Sequence, residues 1–164
     1  MQRMPSVIVV HDVDDPATLS AARALAREYA ALPHVLGRWV DPDSEIIGLP
    51  GPYRAPSGGV LLAVVDGDYV GCVAFAPLDE GAVELKRLYV RPGLRGRGVG
   101  LALVRAVVQR ARTAGYSCIR LDTAPELGAA VALYLKEGFR EIGRYRDDLY
   151  ADARCFELTL GLRG

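Results

Sequence analysis

The chain has 164 residues, 51% of them hydrophobic and 24% charged, with a formal net charge of zero. That is the size and make-up of one domain with a sizeable core, and it is expected to span residues 1–164. A neutral balance argues against nucleic acid held through overall charge, and no apolar run reaches membrane-spanning length, so neither partner is expected.

In chain order, the start "MQRMPSVIVVHD" has a four-residue apolar core that meets His11 and Asp12, too short for a signal peptide. The β-branched stretch 6–13 reads as a strand. Asp15 followed by Pro16 is a helix cap and a first-turn proline, and Leu19, Ala22, Leu25, Tyr29 and Leu32 recur at helical spacing, so 16–32 is an amphipathic helix. Residues 33–59 carry five prolines and read as a long irregular connection, with room for a short helix around 43–48. Three strands with short turns follow at 59–65, 69–76 and 82–90, an antiparallel meander turned by "DGD" (66–68) and "LDEG" (78–81). A glycine-rich loop leads into a helix over 99–114, with Leu101, Val104, Val108 and Ala111 on its apolar face. Then come a strand at 117–123, a helix at 128–137 that is apolar nearly all round and so expected to be buried, and strands at 139–143 and 154–160. The expected fold is mixed α/β, with helices packed on a mainly antiparallel sheet. Cys72, Cys118 and Cys155 are widely spaced in apolar runs and read as reduced thiols of a cytoplasmic protein. His11 and His34 are the only histidines, too few for most His-based metal sites, and no metal is expected.

The loop "RPGLRGRGVG" (91–100) stands between strand and helix, where unpaired N–H groups and a partial positive charge favour phosphate. Glycine lets those groups approach an oxygen closely. From Glu84 to Arg112 eight Lys or Arg face the one acid, Glu84, which makes a local basic patch. A Walker loop needs a lysine and a hydroxyl residue at the helix start, and this chain has "GVG". A dinucleotide fingerprint would need glycine where Leu101 stands. Asp122 does lie at a suggestive distance, but Glu84, Lys86 and Arg87 suit a doubly buried first strand poorly.

The remaining phosphate ligand is coenzyme A. "RGRGVG" (95–100) matches the Arg/Gln-x-x-Gly-x-Gly/Ala signature of the GNAT N-acetyltransferase superfamily, with "VELKRLYVRP" before it and "LYLKEGF" (133–139) after it. These three segments in this order resemble that family over roughly residues 60–160, and "EIIGLPGPYRAPSGGVLLA" is similar to a bacterial branch of it. The resemblance implies a GNAT-type sheet in the order β-α-(α)-β-β-β-α-β-α-β-β. It also implies a V-shaped gap between strands 82–90 and 117–123, and acetyl-CoA within it. The pyrophosphate would rest on Arg95, Gly96, Arg97, Gly98, Val99 and Gly100, and the pantetheine arm would pair along Leu88, Tyr89 and Val90.

The reaction implied is attack of a primary amine on the thioester, in a ternary complex with no covalent enzyme intermediate. An alkyl ammonium has a pKa of about 10.4, so a base helps. The resemblance gives that role to Glu84, directly or through water, and the protonation of the leaving thiolate to Tyr134. It makes the Leu88 N–H the oxyanion donor. Glu84 paired with Lys86 or Arg87, and Tyr134 as a core tyrosine, stay open as structural readings. One departure is Leu127, where many members carry an asparagine that contacts pantetheine. The acceptor would lie between 33–59 and about 144–153. There Asp41, Asp43, Glu45, Asp147 and Asp148 could draw a cation, and Arg54 a carboxylate. A small-molecule amine is the expected acceptor. A peptide or protein amine, a silent acyl-CoA-sensing module and a homodimer stay open.

Overall fold

The computed structural model describes residues 6–79 and 81–161. Glu80, within the expected 78–81 turn, and residues 1–5, within the stretch read for export, lie outside the described residues. The first strand is β1 (Ile8–Asp12). Helix α1 (Pro16–Ala30) opens on a reciprocal cap: Thr18 N–H donates to Asp15 Oδ1 at 2.7 Å, and Asp15 N–H donates to Thr18 Oγ1 at 3.1 Å. After turns through 31–40, Asp41 caps α2 (Pro42–Ile47), the short helix expected in the proline-rich connection. The meander is β2 (Gly59–Val65), β3 (Asp68–Asp79) and β4 (Ala82–Val90). A single 3-10 turn at Pro92–Leu94 leads to α3 (Val99–Thr113), β5 (Cys118–Thr123), α4 (Gly128–Lys136), β6 (Arg140–Ile142) and β7 (Arg154–Thr159).

The described strands form one sheet in the order β1-β2-β3-β4-β5-β7-β6, antiparallel except between β4 and β5. Alternation along the strands splits the core in two. Leu61, Val73, Val83, Ile119 and Phe156 pack against α3, whereas Leu62, Cys72, Ala74 and Tyr89 pack under Ala22 and Leu25 of α1. Each Val, Leu, Ile or Phe among them, fully buried, contributes roughly 1.5–3 kcal/mol. A third cluster joins Ala26 to Val35, Trp39 and Ile46 and so fixes the proline-rich connection to α1.

Two helices depart from the sequence expectation. The buried stripe of α3 is Val99, Leu103, Val104, Val107 and Ala111, so Leu101 and Val108 are only partly covered. Helix α4 buries only Val131 and Tyr134, and Leu135 is 51% exposed. Part of the reason is shared: Leu101, Ala129, Ala130 and Leu133 line a cavity, although Ala130 and Leu133 also pack against the core. Their apolar character serves a space inside the molecule that periodicity does not distinguish from packed interior.

Candidate active site

The site begins with a fault in β4. Cys72 of β3 pairs with Tyr89, but Ala74 pairs with Lys86, so β4 holds one residue more than its partner. Arg87, inside that bulge, has φ of 61°, a left-handed conformation unusual for a residue with a side chain. The Arg87 guanidinium is held in return: it donates to both oxygens of Glu45 at 2.9 and 3.0 Å and stacks 4.0 Å from the Trp39 ring centroid. Tyr53 adds a hydrogen bond to Glu45 at 3.2 Å. The β4–β5 pairing covers only Ala82, Val83 and Glu84 against Cys118, Ile119 and Arg120. Beyond Glu84 the two strands share no ladder, and the bulged strand bends away.

A cavity of about 450 Å³ fills the opening. Of the residues read for the cofactor, Leu88, Tyr89, Val90, Arg95, Gly96, Gly98, Val99 and Gly100 line it, and Arg97 does not. Gly96 and Gly98 have φ of 77° and 85°, so a side chain at either would strain the loop. Gly98 caps α3 without a side-chain hydrogen bond, which leaves N–H groups of the first helical turn without a side-chain acceptor. These features suit an anion such as a pyrophosphate. Leu127, at the departure from the family pattern, also lines the cavity and gives it an apolar wall there. The loop is tethered through Arg91, which meets Glu28 of α1 at 2.8 Å and holds its carboxyl below the usual range.

A second pocket of about 130 Å³ adjoins the first, and Tyr29, His34, Leu88, Leu127 and Ala130 line both. Lys86, Arg87, Asp122, Tyr134 and Tyr150 complete much of its wall. Tyr134 is 5% exposed, and burial pushes its phenol well above the ordinary tyrosine value, so it stays protonated as a donor must. Glu84 is 4% exposed and lines neither of these pockets. The Tyr145 hydroxyl donates to its Oε2 at 2.6 Å, Arg146 Nη1 donates to its Oε1 at 2.9 Å, and Lys86 Nζ stands 3.6 Å away. Burial and then the Glu84 charge push the Tyr145 phenol up.

Residues 22–139 match the profile of the acetyltransferase (GNAT) family. The chain belongs to this family. An uncharacterized N-acetyltransferase of Schizosaccharomyces pombe is 36% identical over 143 residues, 86% of this chain and 88% of that one. N-acetylaspartate synthetase of Danio rerio is 38% identical over 97 residues, 58% of this chain but only 34% of that protein. A Salmonella typhimurium protein solved with its cofactor acetyl-CoA shares the fold, with a TM-score of 0.74 at 19% identity and 95% of each chain covered. The chain is therefore a GNAT acyltransferase, and acetyl-CoA is its cosubstrate. Among the described residues no group of three or more His, Cys, Asp or Glu is placed to hold a metal, and no helix is long and apolar enough to cross a membrane.

The loop charges read for the GNAT acceptor take other duties. Asp41 caps α2, Glu45 holds Arg87, Asp148 meets Arg146 at 3.0 Å, and Arg54 Nε donates to Gly51 O at 3.0 Å. Asp43, Arg54 and Asp147 line neither pocket. Tyr145 and Arg146 were not singled out by the sequence, nor was Asp122 as a GNAT site residue. A signal for Asp122 existed: Ile119 and Leu121 are core, so Arg120 and Asp122 share the opposite face, and Arg120 pairs in register with Glu84.

Proposed function

We propose that this chain, as a single GNAT domain over residues 1–164, moves an acetyl group from acetyl-CoA to the primary amine of a small molecule by direct transfer. The observation that carries this reading is the meeting of the two pockets at Leu88, next to the bulge. A thioester laid along Leu88 to Val90 would present its carbonyl to the Leu88 N–H and its carbon to an amine in the smaller pocket. Tyr134, on the same wall, would protonate the departing sulfur. The Glu84 charge stands behind the acceptor pocket and holds Tyr145, Arg146 and Lys86 in place. Neither pocket is lined by a cysteine, and burial pushes the Cys72 thiol up to about 12, which supports transfer without an acyl-enzyme.

The acceptor's size follows from its walls. The smaller pocket measures about 130 Å³, and His34, Arg38 and Trp39 of the proline-rich connection form one side of it. An amino acid or its derivative suits so small a pocket, and N-acetylaspartate synthetase is by its name a relative with an amino-acid product. The reading takes one chain acting on a small amine, without nucleic acid or a membrane. Three free cysteines support a reducing, cytoplasmic location.

The test is free-thiol release from acetyl-CoA with amino acids, polyamines, aminoglycosides and peptides with free N-termini. Small amines are expected to be the better acceptors. Release with peptides alone would reassign the smaller pocket to a chain terminus. Tight acetyl-CoA binding without turnover on any amine would make the protein a sensor.

A further inference from the structure

Two acids flank the parting of β4 and β5, and the structure treats them differently. Glu84 and Asp122 share one face of the sheet, because Glu84 pairs in register with Arg120 and Asp122 is two residues further along β5. Both Glu84 oxygens accept short hydrogen bonds, and its side chain reaches neither pocket. Asp122 lines the acceptor pocket beside Leu88 and Tyr134 and has no ion pair or hydrogen bond to its side chain among the described residues. The cations on that wall are committed elsewhere. Arg38 meets Asp152 at 2.5 Å, Arg87 meets Glu45, and Lys86 leans toward Glu84. Asp122 is left as an uncommitted negative charge in a pocket that must receive an ammonium.

We propose that Asp122 is the carboxylate on which the acceptor's ammonium docks and to which it gives up its proton, while Glu84 is a positioning residue. The proposal rests on the acetyl-transfer reading of the two pockets. In the step, a proton passes from the ammonium to Asp122 and frees the nitrogen lone pair. That pair forms the C–N bond, the C–S bond breaks, and the electrons stay on sulfur. The thiolate takes the Tyr134 proton, which the second nitrogen proton replaces. Asp122 then releases its proton through the open pocket mouth, and the balance is one amide, one thiol and one proton.

The surroundings favour this role. Asp122 is solvent-accessible in the pocket, yet the walls thin its hydration and push its carboxyl up, and Glu84 adds to this. Lys86, Arg146 and Arg87 pull the other way. A carboxylate with a raised pKa is a better match to an amine's proton than an ordinary one. The other titratable groups around the pocket are the tyrosines Tyr29, Tyr134 and Tyr150, Arg38, and His34, with Tyr145 beyond Glu84 and the Cys155 thiol opposite Asp122 on β7. Of these only histidine has an unperturbed range near neutrality.

The experiment compares Asp122→Asn, Asp122→Glu, Glu84→Gln and His34→Gln with the wild type. Calorimetry measures acetyl-CoA binding. Thiol release over a range of pH uses glycine, spermidine and a peptide with a free N-terminus as probes. Asp122→Asn is expected to bind acetyl-CoA as the wild type does and to lose roughly a hundredfold or more in kcat/KM for the best probe. The acidic limb of its pH profile should vanish, while Glu84→Gln and His34→Gln keep that limb and Asp122→Glu recovers part of the rate. Wild-type kcat/KM in Asp122→Asn, or a limb lost only in Glu84→Gln, overturns the proposal and leaves acetyl transfer standing. Failure of the wild type to bind acetyl-CoA would instead remove the acetyl-transfer reading itself. If acetyl-CoA binds but no probe reacts, the carbon-13 carboxyl resonance of Asp122, assigned through Asp122→Asn, is followed with methylammonium. A saturable shift supports docking, and an unmoved resonance overturns it.

Discussion

The cofactor cavity and the acceptor pocket touch at Leu88 but are built on different plans. The cavity takes its wall mainly from two stretches of chain, 88–101 and 126–133, among them a bulged strand, two left-handed glycines and a helix start without a side-chain cap. The acceptor pocket draws single side chains from the connection after α1, from β4, β5 and α4, and from the β6–β7 connection. A backbone site needs only that the right residues be consecutive. A side-chain site needs distant segments to arrive together, and here charge pairs such as Arg87–Glu45 and Arg146–Glu84 hold them.

The sharpest way to separate the two halves is Tyr134→Phe. It should lower turnover by roughly ten- to a thousandfold and leave acetyl-CoA affinity similar, because on the proposed reading it removes a donor used only as the thiolate leaves. Single-turnover rates and calorimetry together check this, and wild-type turnover would return Tyr134 to the core. Gly98→Asp attacks the other half. A side chain at φ of 85° and a negative charge at the start of α3 should weaken acetyl-CoA by at least tenfold, about 1.4 kcal/mol, with the fold retained. Unchanged binding would separate the loop from the pyrophosphate.

Smaller effects test how the halves are joined. Glu45→Gln weakens the hold on Arg87 and so on the bulge, and roughly a three- to tenfold fall in acceptor kcat/KM is expected, without a matching change in acetyl-CoA affinity. A fall in both would mean that the bulge serves the two pockets equally. Glu28→Gln loosens the tether of the glycine loop to α1. Both partners are more than a third exposed, so roughly 0.2–1 kcal/mol is at stake. The folded Glu28 carboxyl lies below its unfolded value, so its contribution is fully present above the unfolded pKa and is lost as pH falls through the folded one. Melting curves of wild type and Glu28→Gln should therefore differ at pH 7 and converge as pH falls below the usual glutamate range.

What could be read in advance follows the same division. The order of strands and helices, the short helix near 43–48 and the glycine-rich loop all lie in local patterns, and eight of the nine residues read for the cofactor line the larger cavity. The face of α3 was misjudged because Leu101 is apolar for a ligand's sake, and α4 because its alanines line the same space. Lys86, two residues from Glu84, was open as its partner, but Tyr145 and Arg146 lie 61 and 62 residues further along the chain, a distance no periodicity spans. A buried acid does announce that donors are coming, but not which ones.

The placing of β7 between β5 and β6 carries a consequence for how the molecule is made. Strand β6 has no sheet neighbour except β7, and β5 stays an open edge on that side until β7 arrives. During synthesis the cofactor loop and its meander can settle while residues 154–159 are still inside the ribosome. The connection that carries Tyr145 and Arg146 can close over Glu84 only once β7 is home. A nascent chain would thus gain a place for acetyl-CoA before it had a finished place for an amine.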